Sequence, residues 1–139
     1  MSPGTPRAVH GRNGLPGIDS YRYIGNYRYM DKAQALEALS ALAHATRLDV
    51  FRLLVQSGPE GMPAGEIASR LGVVQNTLST HLGALARAGL IRRDREGRVI
   101  RCRADYAGKQ ALLAYLLEDC CRGDQAICEP LFDVIKCAC

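Results

Sequence analysis

Tryptophan is absent and phenylalanine occurs twice in 139 residues, and no apolar run approaches the roughly 18 to 20 residues with which a helix crosses a bilayer. A helical membrane protein is thereby excluded. The N-terminal residues contain no apolar stretch like that of a secretory leader, so the expected location is the cytoplasm. In that reducing compartment the six cysteines are not expected to form a disulfide framework. There is no Gly-rich phosphate-cradling loop, no Cys paired with His, and no Cys followed six residues later by Arg, so nothing supports an enzyme. With 139 residues, 47% of them hydrophobic, the chain suffices for one small soluble domain and is short for a two-domain enzyme.

The formal charge of +4 conceals a strongly uneven distribution. By segment it is +3 over residues 1–30, −1 over 31–80, +5 over 81–103 and −3 over 104–139. The stretch 81–103 holds seven Arg against Asp94 and Glu96 and makes a local field that favours a polyanion. A solvated arginine face is the alternative reading. The first thirty residues hold three of the six Pro and no apolar period, only a Tyr-Arg-Tyr at 21–23 that recurs at 27–29. They are expected to be a flexible arm or an upstream extension, with Met30 as a candidate translation start.

From Asp31, a plausible N-cap, the apolar residues Ala35, Leu36, Leu39, Leu42 and Ala43 recur at helical spacing. Leu48, Phe51, Leu54 and Val55 mark a second helix, stopped by Ser57-Gly58-Pro59. A short third helix starts at Pro63, contains Ile67, Ala68 and Leu71, and closes at Gly72. In the fourth, Val74, Leu78, Leu82 and Leu85 are expected to face inward, with Gln75, Asn76, Ser79, Thr80 and Gly83 outward. Ile91–Arg95 and Arg98–Arg103 read as a hairpin about Glu96-Gly97. Asp105 then caps a fifth helix, with Leu112, Leu113, Leu116 and Leu117, running up to Cys120 and stopped by Gly123.

Two helices joined by a short turn containing Gly72, the second carrying small polar side chains outward, make a helix-turn-helix pattern. Gln and Asn bond bidentately to adenine edges and Ser or Thr reach either base type, so Gln75, Asn76, Ser79 and Thr80 suit major-groove reading. Arg95 and Arg98 at the hairpin tip suit salt-dependent phosphate or minor-groove contacts. Leu71-Gly72 through Thr77-Leu78-Ser79-Thr80-His81-Leu82, then Leu85 and Ala88-Gly89-Leu90-Ile91, closely resembles the ArsR/SmtB family of winged-helix metalloregulators. The stretch Leu42-Ala43-His44-Ala45-Thr46-Arg47-Leu48 is a second match, and the resemblance covers roughly residues 31–121. Where the family usually has Ser or Thr to cap the recognition helix, this chain has Val74.

The resemblance implies a mainly α winged helix-turn-helix with a small β-hairpin. It also implies a homodimer through the first and last helices, and a repressor that leaves double-stranded operator DNA when a thiophilic ion binds. His44 and His81 have no second His or Cys at ligand spacing and are expected to be structural hydrogen-bonding groups. The family's arsenic-type site on the third helix needs cysteines that residues 61–72 lack, and its zinc-type site on the last helix needs histidines, of which none follows His81. Cys120 and Cys121, with Cys128 beyond Gly123, are similar to the subgroup whose arsenite site uses paired cysteines and one a few residues on.

Three thiols suit As(III), or Sb(III), which is soft and pyramidal and takes three sulfurs on one side, whereas Zn(II) would want a fourth ligand. No organic cofactor is expected. Adjacent residues on a helix point about 100° apart, so Cys120 and Cys121 could share one ion only if the last turn opens. Cys102, Cys137 and Cys139 are left unassigned. The expected layout is an arm over 1–30, a winged-helix domain over 31–122, and a cysteine-rich tail over 123–139 that contributes to the metalloid site. The alternatives are a regulator of the same fold sensing Cd(II), Pb(II), Zn(II) or thiol oxidation, a thiol-dependent reductase, and a metal-sequestering protein.

Overall fold

The computed structural model describes residues 23–24, 27–118 and 124–138. The order is β1 (Tyr23–Ile24), β2 (Tyr27–Arg28), α1 (Lys32–Leu42), α2 (Ala45–Gln56), β3 (Met62–Pro63), α3 (Ala64–Leu71), α4 (Gln75–Arg87), β4 (Ile91–Glu96), β5 (Val99–Ala104), α5 (Tyr106–Leu117) and α6 (Gln125–Ala138). This is the expected mainly helical fold with a small antiparallel sheet. Of the expected arm, the end is built into the fold: β1 pairs with β2, β2 lies against α5, and Met30 is buried.

Asp31 caps α1 through a capping box: its Oδ1 accepts from the Gln34 amide at 2.8 Å, and its own amide donates to Gln34 Oε1 at 2.9 Å. The buried face of α1 is Ala35, Ala38 and Ala41, not the expected leucine stripe, and Leu36 stays 57% exposed. Alanine lets α1 sit close to both α2 and α4, which turns the bulkier leucines of the same helix outward. Val50, Phe51 and Leu54 of α2, Ile67 of α3 and Leu78, Leu82 and Leu85 of α4 pack with them in one core, which Ile91 and Cys102 of the sheet and Leu112 of α5 also enter.

The expected hairpin forms with register Ile91↔Ala104 to Glu96↔Val99, closed by a Gly97-Arg98 turn with Gly97 at φ 68°. A third strand was not expected. Met62 and Pro63 of β3 pair with Cys102 and Arg101 of β5, so the sheet order is β3-β5-β4. The approach requires Gly61, where an added Cβ would run into the Cys102 carbonyl. Pro63 therefore stands at the N-cap of α3 instead of inside its first turn.

Two further corrections fall at the C-terminal end. α5 stops at Leu117, where Glu118 turns extended (φ −59°, ψ 128°), and does not run to Cys120. Residues 125–138, expected as a tail, form the helix α6 despite Pro130 in its first half. Among the described residues no helix is long and apolar enough to cross a membrane.

Candidate nucleic-acid interface

α3 ends at Gly72 in the left-handed conformation (φ 65°), and the Gly72 and Val73 amides both donate to the Ala68 carbonyl, Val73 at 3.0 Å. The chain thus reverses within Gly72, Val73 and Val74 and starts α4 packed on α3. Val74, expected to face inward, is the N-cap and is 70% exposed, and it makes no side-chain cap bond. Lying ahead of the first helical turn, it falls outside the period that buries Leu78, Leu82 and Leu85. Gly83, expected outward, is buried.

Gln75, Asn76, Ser79 and Thr80 are all exposed. Their spacing places them on one face of α4. Thr80 Oγ1 donates to the Asn76 carbonyl at 3.4 Å, a weak local bond that leaves the Asn76 amide group and the Ser79 hydroxyl available.

Strand alternation sorts the arginines of the hairpin. On one face Arg103 bonds Asp94 Oδ2 at 2.6 Å and Glu96 Oε2 at 3.3 Å, while Arg101 Nε bonds Glu96 Oε1 at 2.9 Å. The hydrogen bond from Arg101 comes first among the causes that hold the Glu96 carboxyl below its usual range. On the other face Arg93 and Arg95 stand opposite Cys102 and Ile100. Neither makes an ion pair among the described residues, although Arg95 Nη1 donates to the Gly97 carbonyl at 3.3 Å.

These two arginines share a groove of about 460 Å³ with Gln75 and Ser79 of α4, lined on its apolar side by Ala64, Leu78, Leu82 and Ile100. Arg98 is exposed in the turn beside it. So the structure brings Gln75, Ser79 and Arg95 together, leaves Asn76, Thr80 and Arg98 on the adjoining surface, and adds Arg93. The alternation of Ile91, Arg93 and Arg95 along β4 is the sequence signal for that addition.

The histidines come together although 37 positions apart in the sequence. His44 is the N-cap of α2, its Nδ1 accepting from the Thr46 amide at 3.2 Å, a structural bond of the kind expected. His81 differs from expectation: its ring lies 4.6 Å from that of His44, and its buried Nδ1 has no hydrogen-bond partner. Of the candidate metalloid ligands, Cys120 and Cys121 lie outside the described residues, and Cys128 is buried on α6. Cys102 is fully buried in β5, and burial pushes its thiol up to about 11, the state of an inert strand residue. Among the described residues no three His, Cys, Asp or Glu side chains gather where they could hold a metal ion.

A helix-turn-helix domain family matches residues 42–94, the span from the end of α1 through most of β4. The ArsR-like transcriptional regulator from Rhodococcus sp. RHA1 is 30% identical, with a TM-score of 0.54 over 75% of this chain and 91% of that one. The chain belongs to the ArsR family. The ArsR-family chain also resembles the transcriptional activator HlyU of Vibrio cholerae serotype O1, 29% identical over 72% of this chain and 92% of that protein. A homodimeric winged helix-turn-helix DNA-binding domain from Mycobacterium bovis, a possible ArsR-family regulator, is 28% identical with a TM-score of 0.51, over 63% of this chain and 80% of that one. As an ArsR-family member this chain is a DNA-binding transcriptional regulator.

Proposed function

We propose that the protein is a homodimeric repressor that reads its operator with α4 and the wing and is released when As(III), or Sb(III), binds Cys120, Cys121 and Cys128. The DNA part is carried by one observation: four exposed polar side chains of α4 adjoin a groove whose arginines, Arg93 and Arg95, pair with no carboxylate among the described residues. Gln75, Asn76, Ser79 and Thr80 would meet base edges, and Arg93, Arg95 and Arg98 would meet phosphates or the minor groove.

The second copy is supported by leucines that the single chain leaves in water, namely Leu36 and Leu39 on α1 and Leu113 and Leu116 on α5. The Mycobacterium bovis relative is homodimeric. A two-fold pair would set its recognition helices about one DNA turn apart, ~34 to 36 Å.

The donor set supports the inducer. Five of the six cysteines fall at 120, 121, 128, 137 and 139, and three thiols satisfy a pyramidal metalloid fully. Arsenous acid, As(OH)3, exchanges its three hydroxyls for three thiolates, each hydroxyl leaving as water with the thiol proton, so As(III) is neither oxidised nor reduced and no net proton is released. Binding ties Cys120 and Cys121, which follow α5 in the chain, to Cys128 on α6. Release requires tighter As(III) binding to the form without DNA, and a coupling of ~1 to 3 kcal/mol lowers affinity about 5- to 150-fold.

The test is fluorescence anisotropy on a duplex from upstream of the chain's own gene, with and without arsenite, for wild type and Cys121→Ser. Arsenite should release wild type and leave the variant bound. Release by Cd(II) or peroxide but not arsenite would transfer the same cysteines to a different inducer. HlyU of Vibrio cholerae is a transcriptional activator, so a reporter assay decides whether release silences or induces the gene.

A further inference from the structure

We infer that His81, packed against His44, forms a proton-sensitive latch between the N-terminus of α2 and the recognition helix α4, closed when the His81 ring is neutral and opened when it takes up a proton. The inference is independent of the inducer, and rests on the proposed reading only in that α4 is the helix facing DNA.

The geometry closes the latch in one protonation state. His44 caps α2 with Nδ1 as an acceptor, which only a neutral ring offers at that atom. His81 is 9% exposed, and its Nδ1 is buried without a partner. A protonated imidazole carries N–H on both nitrogens, so a charged His81 would bury a donor with nothing to accept it. The basic groups acting on His81 from the α2 end are the His44 imidazole and the Arg47 guanidinium. Arg47 is itself held at the corner, its Nε donating to the Ala41 carbonyl at 2.6 Å. The other elements packed on α4 bury apolar side chains: Ala38 and Ala41 of α1, Ile67 and Ala68 of α3, and Ile91 of β4. On α4 itself the charged residue is Arg87, in the last turn. A proton on His81 is therefore relieved only by moving its ring, and with it α4, away from the corner.

Burial, then His44, then Arg47 hold the His81 imidazole below its ordinary range. The folded chain thus binds this proton less readily than the unfolded chain. Its contribution to stability is complete above the unfolded value of about 6.5 and is lost as pH falls from there towards the folded value. Acid loosens the seating of the helix that carries Gln75, Asn76, Ser79 and Thr80, and DNA binding should weaken on that side of neutrality.

The test needs no DNA. In the full-length chain, NMR would follow the His81 ring and the exchange protection of the α4 amides from about pH 7.5 to about pH 5, corrected for intrinsic exchange. His81 should titrate below the ordinary histidine range, and α4 opening should rise about tenfold per pH unit in which the unfolded chain is protonated and the folded chain is not. His81→Leu removes both the titration and the unpartnered nitrogen, and should be as stable as wild type at neutral pH, with α4 protection that no longer falls in acid. His44→Asn keeps an N-cap acceptor but removes one basic neighbour, and should move the His81 titration upward. The inference is overturned if α4 of wild type keeps its protection while His81 titrates, or if His81→Leu loses protection as wild type does. Should His81→Leu not fold, the wild-type titration and His44→Asn decide.

Discussion

Arg93 and Arg95 differ from Arg101 and Arg103 by one step of strand alternation, and that step decides which of them Asp94 and Glu96 pair with. Asp94 and Glu96 neutralise Arg101 and Arg103 on one face of the wing, so the net +5 of residues 81–103 resides on the other arginines of that stretch, Arg93 and Arg95 among them. Each of Arg93→Ala and Arg95→Ala should therefore weaken binding to specific and random duplexes alike and lower the slope of log affinity against log salt by about one. Arg101→Ala should leave that slope nearly unchanged. Glu96→Gln should raise it, because it frees Arg101 while Arg103 keeps its pair with Asp94, and salt titration of the anisotropy signal measures all four variants. Asn76→Ala, in contrast, should cost ~1 to 3 kcal/mol on the operator and little on random duplex.

At the scale of elements, the α1 box and the Gly61 contact make separable predictions. Asp31→Ala should lower stability by about 1 kcal/mol in chemical denaturation, because the Gln34 amide loses its acceptor. Gly61→Ala should cost more than that, since φ there is 65° and the new Cβ meets the Cys102 carbonyl. The four helices up to α4, the hairpin and the start of α5 were legible because each combines an apolar period with a stop: Ser57-Gly58-Pro59, Gly72, Gly89 or the Asp105 cap. Three features were not legible, for different reasons. A two-residue strand at Met62–Pro63 is too short to have a period and is defined only by its partner β5. The choice of alanines over leucines as the buried face of α1 depends on how closely α2 and α4 approach. The pairing of His44 with His81 is a contact between distant segments, to which ligand-spacing rules are blind. The outward placement of Gln75, Asn76, Ser79 and Thr80 followed from period alone, whereas Arg93 needed the two faces of β4 to be separated.

For the molecule as a whole, the surface left over after folding is as informative as the core. Leu36 on α1 and Leu113 and Leu116 on α5 are each about half exposed, at 57%, 47% and 48%. In a two-fold dimer built on these helices, Leu36→Asp with Leu116→Asp should give a folded monomer by light scattering, with unchanged helix content and a large loss of operator affinity. The regulatory claim is that Cys120, Cys121 and Cys128 close on a trivalent metalloid. Arsenic X-ray absorption on the full-length protein loaded with one equivalent of arsenite addresses it most directly. The account predicts three As–S bonds, reduced to two with an oxygen in the Cys128→Ser variant. Fewer than three sulfurs in wild type, or three that persist when Cys128 is replaced, would contradict it.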